Sequence, residues 1–194
     1  DIGKEFMVTY HHNWFDHSDS RHPRIRSGTI HIYNNYFDGN SKYGVGVTTG
    51  SSAFVDSNYF RNCKYPMLSS KQGTDAVGEG TFSGEDGGMI KAYNNIISGA
   101  QRLVYANAAY GSNAADSTQF DAYIASERNQ QVPESYVTVA GGTKYNNFDT
   151  SSSYDLGVKQ EYIDTPENVP TVVMAKAGRL NGGDFKWEFN NATE

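Results

Sequence analysis

A short run of cationic side chains is the feature of this 194-residue sequence with the clearest chemical potential. Arg21, Arg24 and Arg26 stand within six residues, and all five histidines fall within the first 31. Guanidinium groups bind carboxylates through paired hydrogen bonds, and they stabilise negative charge that develops in a reaction. The net charge of the chain is −6, so an anionic substrate would have to be captured by this local cluster. Solvated surface charge, the usual role of such runs, is the alternative.

The histidines lack the spacing of a metal site. No His-Glu-x-x-His or comparable ligand pattern is present, so the sequence predicts no zinc and no metal ligand within this chain. We expect some histidines to stack or hydrogen-bond within the fold. We expect His11 and His12, as neighbours on a strand, to point to opposite faces.

An aromatic-Asn phrase recurs along the chain and predicts the elements that position the arginines. Its asparagines are Asn13, Asn35, Asn58 and Asn95, at spacings of 22, 23 and 37 residues, and a further copy is considered at Asn147. Short alternating β runs separated by Gly, Ser and Asn fill each period. This pattern is typical of the stacked coils of a parallel β-helix. Equivalent asparagines would then lie about 4.8 Å apart and could form a hydrogen-bonded ladder, although Asn is also a common turn former.

The whole chain, 1–194, is predicted to be a single all-β domain. The repeat is most evident over 6–100, and the Gly-rich insertion 72–88 is predicted to be a surface loop. Residues 101–164 are loop-rich. The repeat is lost from 165–194, which we predict to pack back on the coils or to cap the stack.

Composition excludes several classes of protein. A pI of about 5.3 gives no sign of a nucleic-acid partner. No apolar stretch approaches the length of about 18 residues that marks a membrane-spanning helix, so no membrane partner is predicted. Cys63 is the only cysteine, which rules out an internal disulfide and predicts a small buried side chain.

Three phrases together resemble the signature of the pectate lyases of polysaccharide lyase family 1. They are Val8-Thr-Tyr-His-His-Asn13-Trp-Phe, the box Arg21-His-Pro23-Arg-Ile-Arg26, and His31-Ile-Tyr-Asn-Asn35. The resemblance is close over residues 6 to about 100 and weaker afterwards. It implies a right-handed, single-stranded parallel β-helix that is secreted and cleaves polygalacturonate or pectin by β-elimination.

The resemblance also implies roles for individual residues. Arg21 falls on the family's catalytic base, and Arg26 falls on a ligand of the substrate carboxylate. Arg24 lies two residues from Arg26, so the strand period predicts a shared face and a supporting role in substrate binding. Lys71 is a candidate substrate ligand at the rim of the cleft, with an ordinary surface role as its alternative. Thr48 stands where the family typically has a further substrate-binding arginine.

Calcium is the cofactor that the resemblance implies. In the family its Asp and Glu ligands, and a substrate-binding lysine, lie on coils that precede the Tyr-His-His-Asn phrase. We therefore expect these ligands upstream of this chain, which we interpret as the C-terminal portion of such an enzyme. The missing N-terminal part would then be a partner of the present chain.

Three alternative functions remain beside the pectate lyase hypothesis. A β-helix hydrolase requires paired acids, whereas Asp16, Asp19, Asp38 and Asp56 are scattered. A pectin lyase acting on methyl-esterified polymer would share the fold and the base, but esterified polymer offers fewer carboxylates to arginines. A non-catalytic polysaccharide-binding β-helix would require the coils but not the arginine box.

Overall fold

Stacked coils of parallel strands form the protein, as the sequence predicts. The computed structural model describes residues 6–76, 82, 84–99, 103–105, 120–138, 142–150 and 158–178. Within them every strand of one coil pairs in parallel with the equivalent strand of the next coil, so that three sheets run along the stack. The predicted parallel β-helix is confirmed.

The three sheets differ in the number of coils that they span. The first sheet contains β1 (Met7–His11), β4 (Thr29–Tyr33), β7 (Ser52–Asp56), β10 (Met89–Tyr93) and β12 (Tyr123–Ile124). The second sheet contains β2 (Trp14–Asp16), β5 (Tyr36–Asp38), β8 (Tyr59–Arg61) and β11 (Ile96–Ser98). The third sheet contains β3 (Arg24–Ile25), β6 (Tyr43–Val47) and β9 (Tyr65–Ser69).

Left-handed backbone conformations turn the chain from the first sheet to the second at the same place in each coil. The residues at these corners are His12, Asn34, Ser57 and Asn94, with φ of 53°, 49°, 54° and 53°. Positive φ is uncommon outside glycine, and asparagine tolerates it because its short polar side chain can bond locally. The regular corner fixes where each ladder asparagine, the next residue along the chain, must lie.

The asparagine ladder is confirmed. The side-chain amides of Asn13, Asn35 and Asn58 donate to the side-chain oxygens of Asn35, Asn58 and Asn95 over 2.9, 3.0 and 3.0 Å. The same oxygens accept the backbone N–H groups of Asn13, Asn35 and Asn58. Each coil is therefore fixed in register to the next.

The considered fifth copy does not join this ladder. The side chain of Asn147 instead exchanges two bonds with the backbone of Val132, at 2.8 and 3.1 Å. Local loop geometry, rather than the coil repeat, accounts for this asparagine.

Apolar side chains of successive coils stack in the interior. Phe15, Phe37 and Phe60 form one column, with ring centroids 5.0 and 4.4 Å apart. Phe37 and Phe60 are fully buried, and Cys63 belongs to the same core, as predicted. Burial of such rings is the main stabilising contribution of each coil.

Residues 120–138 and 142–150, which we call the covering segment, lie on the outer face of the first sheet. Within this range, Phe120, Val132, Tyr145 and Phe148 pack against Phe54 of β7.

Buried ion pairs lie under this covering segment. Lys91 Nζ lies 2.6 Å from a carboxylate oxygen of Asp149, and Arg128 Nε lies 2.9 Å from Asp56. Asp56 also contacts His31 Nε2 at 3.3 Å. These charges are paired where removal from water would otherwise be costly.

Helix α1 (Val169–Lys176) packs on the second sheet. Its buried Val169 and Val173 contact Tyr36, with Trp14 beside them. The predicted packing segment 165–194 is described to residue 178, and its remainder lies outside the described residues. Among the helices that can be described, none combines the length and apolarity required to cross a bilayer.

A substitution in the ladder tests its contribution to stability. Asn35 is fully buried, and its amide donates to the Asn58 side chain and to the carbonyls of Tyr33 and Tyr10. We expect Asn35→Ala to lower the free energy of unfolding by about 3 kcal/mol, because it leaves several buried groups unpaired. Urea unfolding followed by circular dichroism measures this loss.

Asn13→Ala is the matched control. Asn13 is half-buried, and a smaller loss of about 1 kcal/mol is expected there. Equal losses of unfolding free energy at the two positions would contradict a ladder whose contribution to stability is larger at its buried middle than at its end.

Candidate functional site

Arg21 lies exposed in the turn that precedes β3. Its backbone adopts a left-handed conformation with φ of 71°, which is unusual for a long side chain. One guanidinium nitrogen lies 3.3 Å from the hydroxyl of Ser20, and no carboxylate pairs with Arg21 in the part of the chain that can be described. The side chain is thus presented to solvent from a fixed corner.

The residues that follow Arg21 anchor this corner. The backbone N–H of His22 donates to Gly44 of the next coil over 2.9 Å, and the side chain of His22 bonds the Ser18 hydroxyl at 2.8 Å. The imidazole packs on Phe15 with centroids 5.1 Å apart, and Pro23 is buried. Burial lowers the pKa of His22, although a main-chain contact with Tyr43 and the charge of Asp19 oppose this shift.

Arg24 and Arg26 flank the buried Ile25 and meet at one carboxylate. Arg24 lies 3.2 Å from one oxygen of Glu85, and Arg26 contacts the other oxygen. The Arg24 guanidinium also lies 5.1 Å from the ring centre of Phe82. Arg24 and Arg26 therefore point to the same side of the chain, which agrees with the face predicted from the strand period.

Lys71 lies in the turn that follows β9 of the third sheet, and its side chain pairs with Asp86. Its backbone has φ of 58°, and its ammonium group lies 2.9 Å from Asp86. The side chain is 41% exposed. Lys71 and the arginine pair therefore meet consecutive residues of one segment, which we call the acidic segment and define as residues 84–88.

Thr48 lies under this segment and not at the surface. It is fully buried, its hydroxyl donates to the Ile25 carbonyl over 2.8 Å, and it forms an antiparallel bridge with Gly87. The position where the resemblance places a further arginine thus has a structural role here.

Tyr43 is a buried residue beside the arginine box that the sequence did not single out. Burial raises the pKa of its phenol, while the charges of Arg21 and Arg24 act in the opposite direction. Tyr43 begins β6, and the sequence gives no signal that separates it from a core tyrosine.

Glu85 and Asp86 were also missed as members of the site. The sequence predicts only a Gly-rich surface loop over 72–88, and no period relates its acids to the box. An open depression of about 420 Å³ lies between this segment and the third sheet, lined by Arg26, Ser27, Thr49, Gly84, Glu85 and Asp86. Two guanidinium groups that converge on one carboxylate have the chemistry of a carboxylate site, which Glu85 fills here.

The described residues do not fit calcium. Ca²⁺ requires six to eight oxygen ligands, whereas Glu85 and Asp86 are paired with cations. One group in the described part of the chain, made of Asp16, His17 and Asp38, brings three possible ligands together at the second sheet. Asp38 is held by Arg61 at 2.6 Å, so this group offers no calcium cage.

The histidines stack and hydrogen-bond as expected. His11 and His31 stack on Tyr33 with centroids 4.9 and 4.8 Å away, and His12 bonds Asp164 at 3.0 Å. The prediction that His11 and His12 point to opposite faces is wrong, since their Nδ1 atoms lie 3.0 Å apart. The physical reason is that β1 ends at His11 and His12 turns with positive φ.

Comparisons with known proteins confirm the resemblance over the N-terminal part of the chain. Residues 1–84 match the family model described as pectate lyase. No solved structure gave a significant match.

Curated relatives are named pectate trisaccharide-lyase or pectate lyase. The pectate trisaccharide-lyase of Bacillus licheniformis is 42% identical over 62 residues, which are 32% of this chain and 18% of that protein. Pectate lyase 3 of Pectobacterium carotovorum is 36% identical over 75 residues, 39% of this chain and 20% of that protein. Pectate lyase B of Dickeya chrysanthemi is 29% identical over 136 residues, 70% of this chain and 33% of that protein. The chain thus spans about a fifth to a third of the length of these relatives.

We expect acid to lower the free energy of unfolding through His22, which anchors the corner at Arg21. Because its folded pKa lies below the ordinary 6.5, the unfolded chain binds a proton below that pH before the folded chain does. Stability should therefore fall as pH drops through the window below 6.5, and His22→Gln should remove part of this fall. Urea unfolding at about pH 7.5 and about pH 5 measures the difference.

An NMR titration of the His22 ring gives the independent readout. A midpoint below 6.5 is expected. A midpoint at or above that value would show that the ring is not desolvated in the folded corner.

Proposed function

Since residues 1–84 match the pectate lyase family model, we propose that the protein acts in the β-elimination cleavage of α-1,4-linked polygalacturonate. The products would be 4,5-unsaturated oligogalacturonides, and Arg21 would abstract the C5 proton. The observation that supports this role best is the presentation of Arg21 to solvent, from an anchored corner, beside two further arginines. The substrate would be the acidic polymer of pectin.

The chemistry accounts for the number of cations. The C5 proton of a galacturonate lies next to a carboxylate, and its removal gives an enolate-like state in which the carboxylate gains charge. Cations against that carboxylate stabilise this state more than the ground state. Arg24 and Arg26 suit this role by position, and Lys71 suits a neighbouring uronate.

A base must be unprotonated, which is demanding for arginine. Removing a proton from an ordinary guanidinium costs roughly 7 kcal/mol at pH 7. The rate optimum should therefore be alkaline, since higher pH supplies the neutral base.

Calcium dependence and extracellular location are parts of the same proposal. The calcium ligands would have to lie outside the described residues, since those residues do not fit the ion. Secretion follows from the substrate, since pectin polymers do not enter the cytoplasm intact.

A pectin lyase is the second candidate, and one contact favours it. Glu85 neutralises part of the charge of Arg24 and Arg26, which lowers the demand for an acidic substrate. Methyl-esterified pectin would then be accepted beside the same base.

Replacing the proposed base tests the function. Arg21→Ala should reduce the rate by roughly a thousandfold, within the range for loss of a general base. The measurement is the ultraviolet absorbance of unsaturated product formed from polygalacturonate and calcium at alkaline pH. The assay uses a form of the protein that carries the calcium site.

Lys144→Ala is the control, since it removes an exposed cation that pairs with Glu134. Its rate should match the wild type. Undiminished cleavage by Arg21→Ala would exclude the base assignment, and no cleavage by the wild type would favour the non-catalytic binding module.

A further inference from the structure

The acidic segment is fastened to the third sheet by its main chain. The hydroxyl of Ser70 donates to the Glu85 carbonyl, and that of Thr49 donates to the Asp86 carbonyl over 3.2 Å. The Ser69 hydroxyl donates to the Gly88 carbonyl over 2.6 Å. These bonds place the segment across the ends of β6 and β9, next to the arginine box.

Two glycines allow this close approach. A Cβ atom on Gly87 would overlap the carbonyl oxygen of Ser70, and one on Gly88 would overlap Ser51 and Thr48. Main chain is therefore in direct contact with main chain. The main-chain contacts of the acidic segment therefore fix where Glu85 lies, in addition to the ion pairs of its side chain.

The Glu85 carboxylate occupies the place that a bound uronate carboxylate would take. Its two oxygens are divided between Arg24 and Arg26, each reached by a guanidinium nitrogen. The pair is partly open to solvent, with 28% of the Glu85 side chain and 58% of the Arg26 side chain exposed. A carboxylate from solution can thus reach the same arginines, but only in competition.

We infer that Glu85 is an internal competitor that sets the specificity of the arginine pair for acidic substrate. This inference rests on the proposed function, because it assumes that Arg24 and Arg26 bind uronate carboxylates. A single uronate exchanges one carboxylate for another and gains little. A run of uronates also reaches Arg21 and Lys71, and these added contacts favour displacement of Glu85. The competitor therefore lowers the affinity of every carboxylate that must displace it, so a single uronate binds weakly, whereas a run of uronates compensates through its other contacts.

The effect of removing the competitor has a definite sign. Glu85→Gln keeps the shape and removes the charge, so the affinity for trigalacturonate should rise about fivefold, in the range for an exposed ion pair. Affinity for the trimethyl ester of trigalacturonate should stay unchanged, since that ligand has no carboxylate to compete. Isothermal titration calorimetry without calcium measures both ligands before any cleavage.

The control is Glu134→Gln, which changes the net charge equally at a side chain that is 87% exposed and paired with Lys144. Its affinities should equal those of the wild type. Glu85→Ala guards against an effect peculiar to glutamine and should change affinity in the same direction as Glu85→Gln.

The outcomes separate this inference from the proposed function. If wild type and Glu85→Gln bind trigalacturonate equally, while Arg26→Ala binds it more weakly, the competitor is excluded and the binding site stands. If no variant binds the acidic trimer, both fail. If Glu85→Ala, but not the isosteric Glu85→Gln, binds the ester and the acid more tightly by the same factor, Glu85 acts by blocking space, and competition for charge is excluded.

Discussion

Coil-to-coil pairing in parallel is the constraint on which the remaining structure depends. Each strand of one coil bonds its equivalent in the next, and the asparagine ladder adds a side-chain bond at the same level. A slip of one residue would exchange interior and exterior side chains on every strand. The fixed period therefore holds both the phenylalanine column and the corners in place.

The corners connect this repeat to chemistry. Left-handed residues occur in the turns between the sheets, and among them are Arg21, before β3, and Lys71, after β9. At these two turns the long side chain is exposed or partly exposed, while Pro23 beside Arg21 remains buried. The stack thus gives long cationic side chains a rigid base, which positions charge at low entropic cost.

The sequence was informative where the repeat determines structure. The spacing of Asn13, Asn35, Asn58 and Asn95 predicts the parallel stack and the ladder, because one period imposes one geometry. Asn147 has similar neighbours in sequence but bonds Val132, since a phrase without the stack around it carries no such constraint. His11 and His12 show the same limit, because strand alternation stops at the residue where the strand ends.

The acidic segment could not be predicted by such reasoning. Glu85 lies about sixty residues from Arg24 in sequence, within glycines that fit many conformations, and only the folded chain brings them together. The family resemblance also could not reveal it, since the resemblance specifies the box and not what covers it.

The protein uses ion pairs in two different settings. Lys91 and Asp149 are at most 1% exposed, so neither can leave the other without stranding a charge in the interior. Arg26 and Glu85 are partly hydrated, so water or another anion can replace either partner at modest cost. The buried pair of Lys91 and Asp149 holds the covering segment on the coils. A binding site requires the second setting, because recognition depends on charges whose partners can be exchanged.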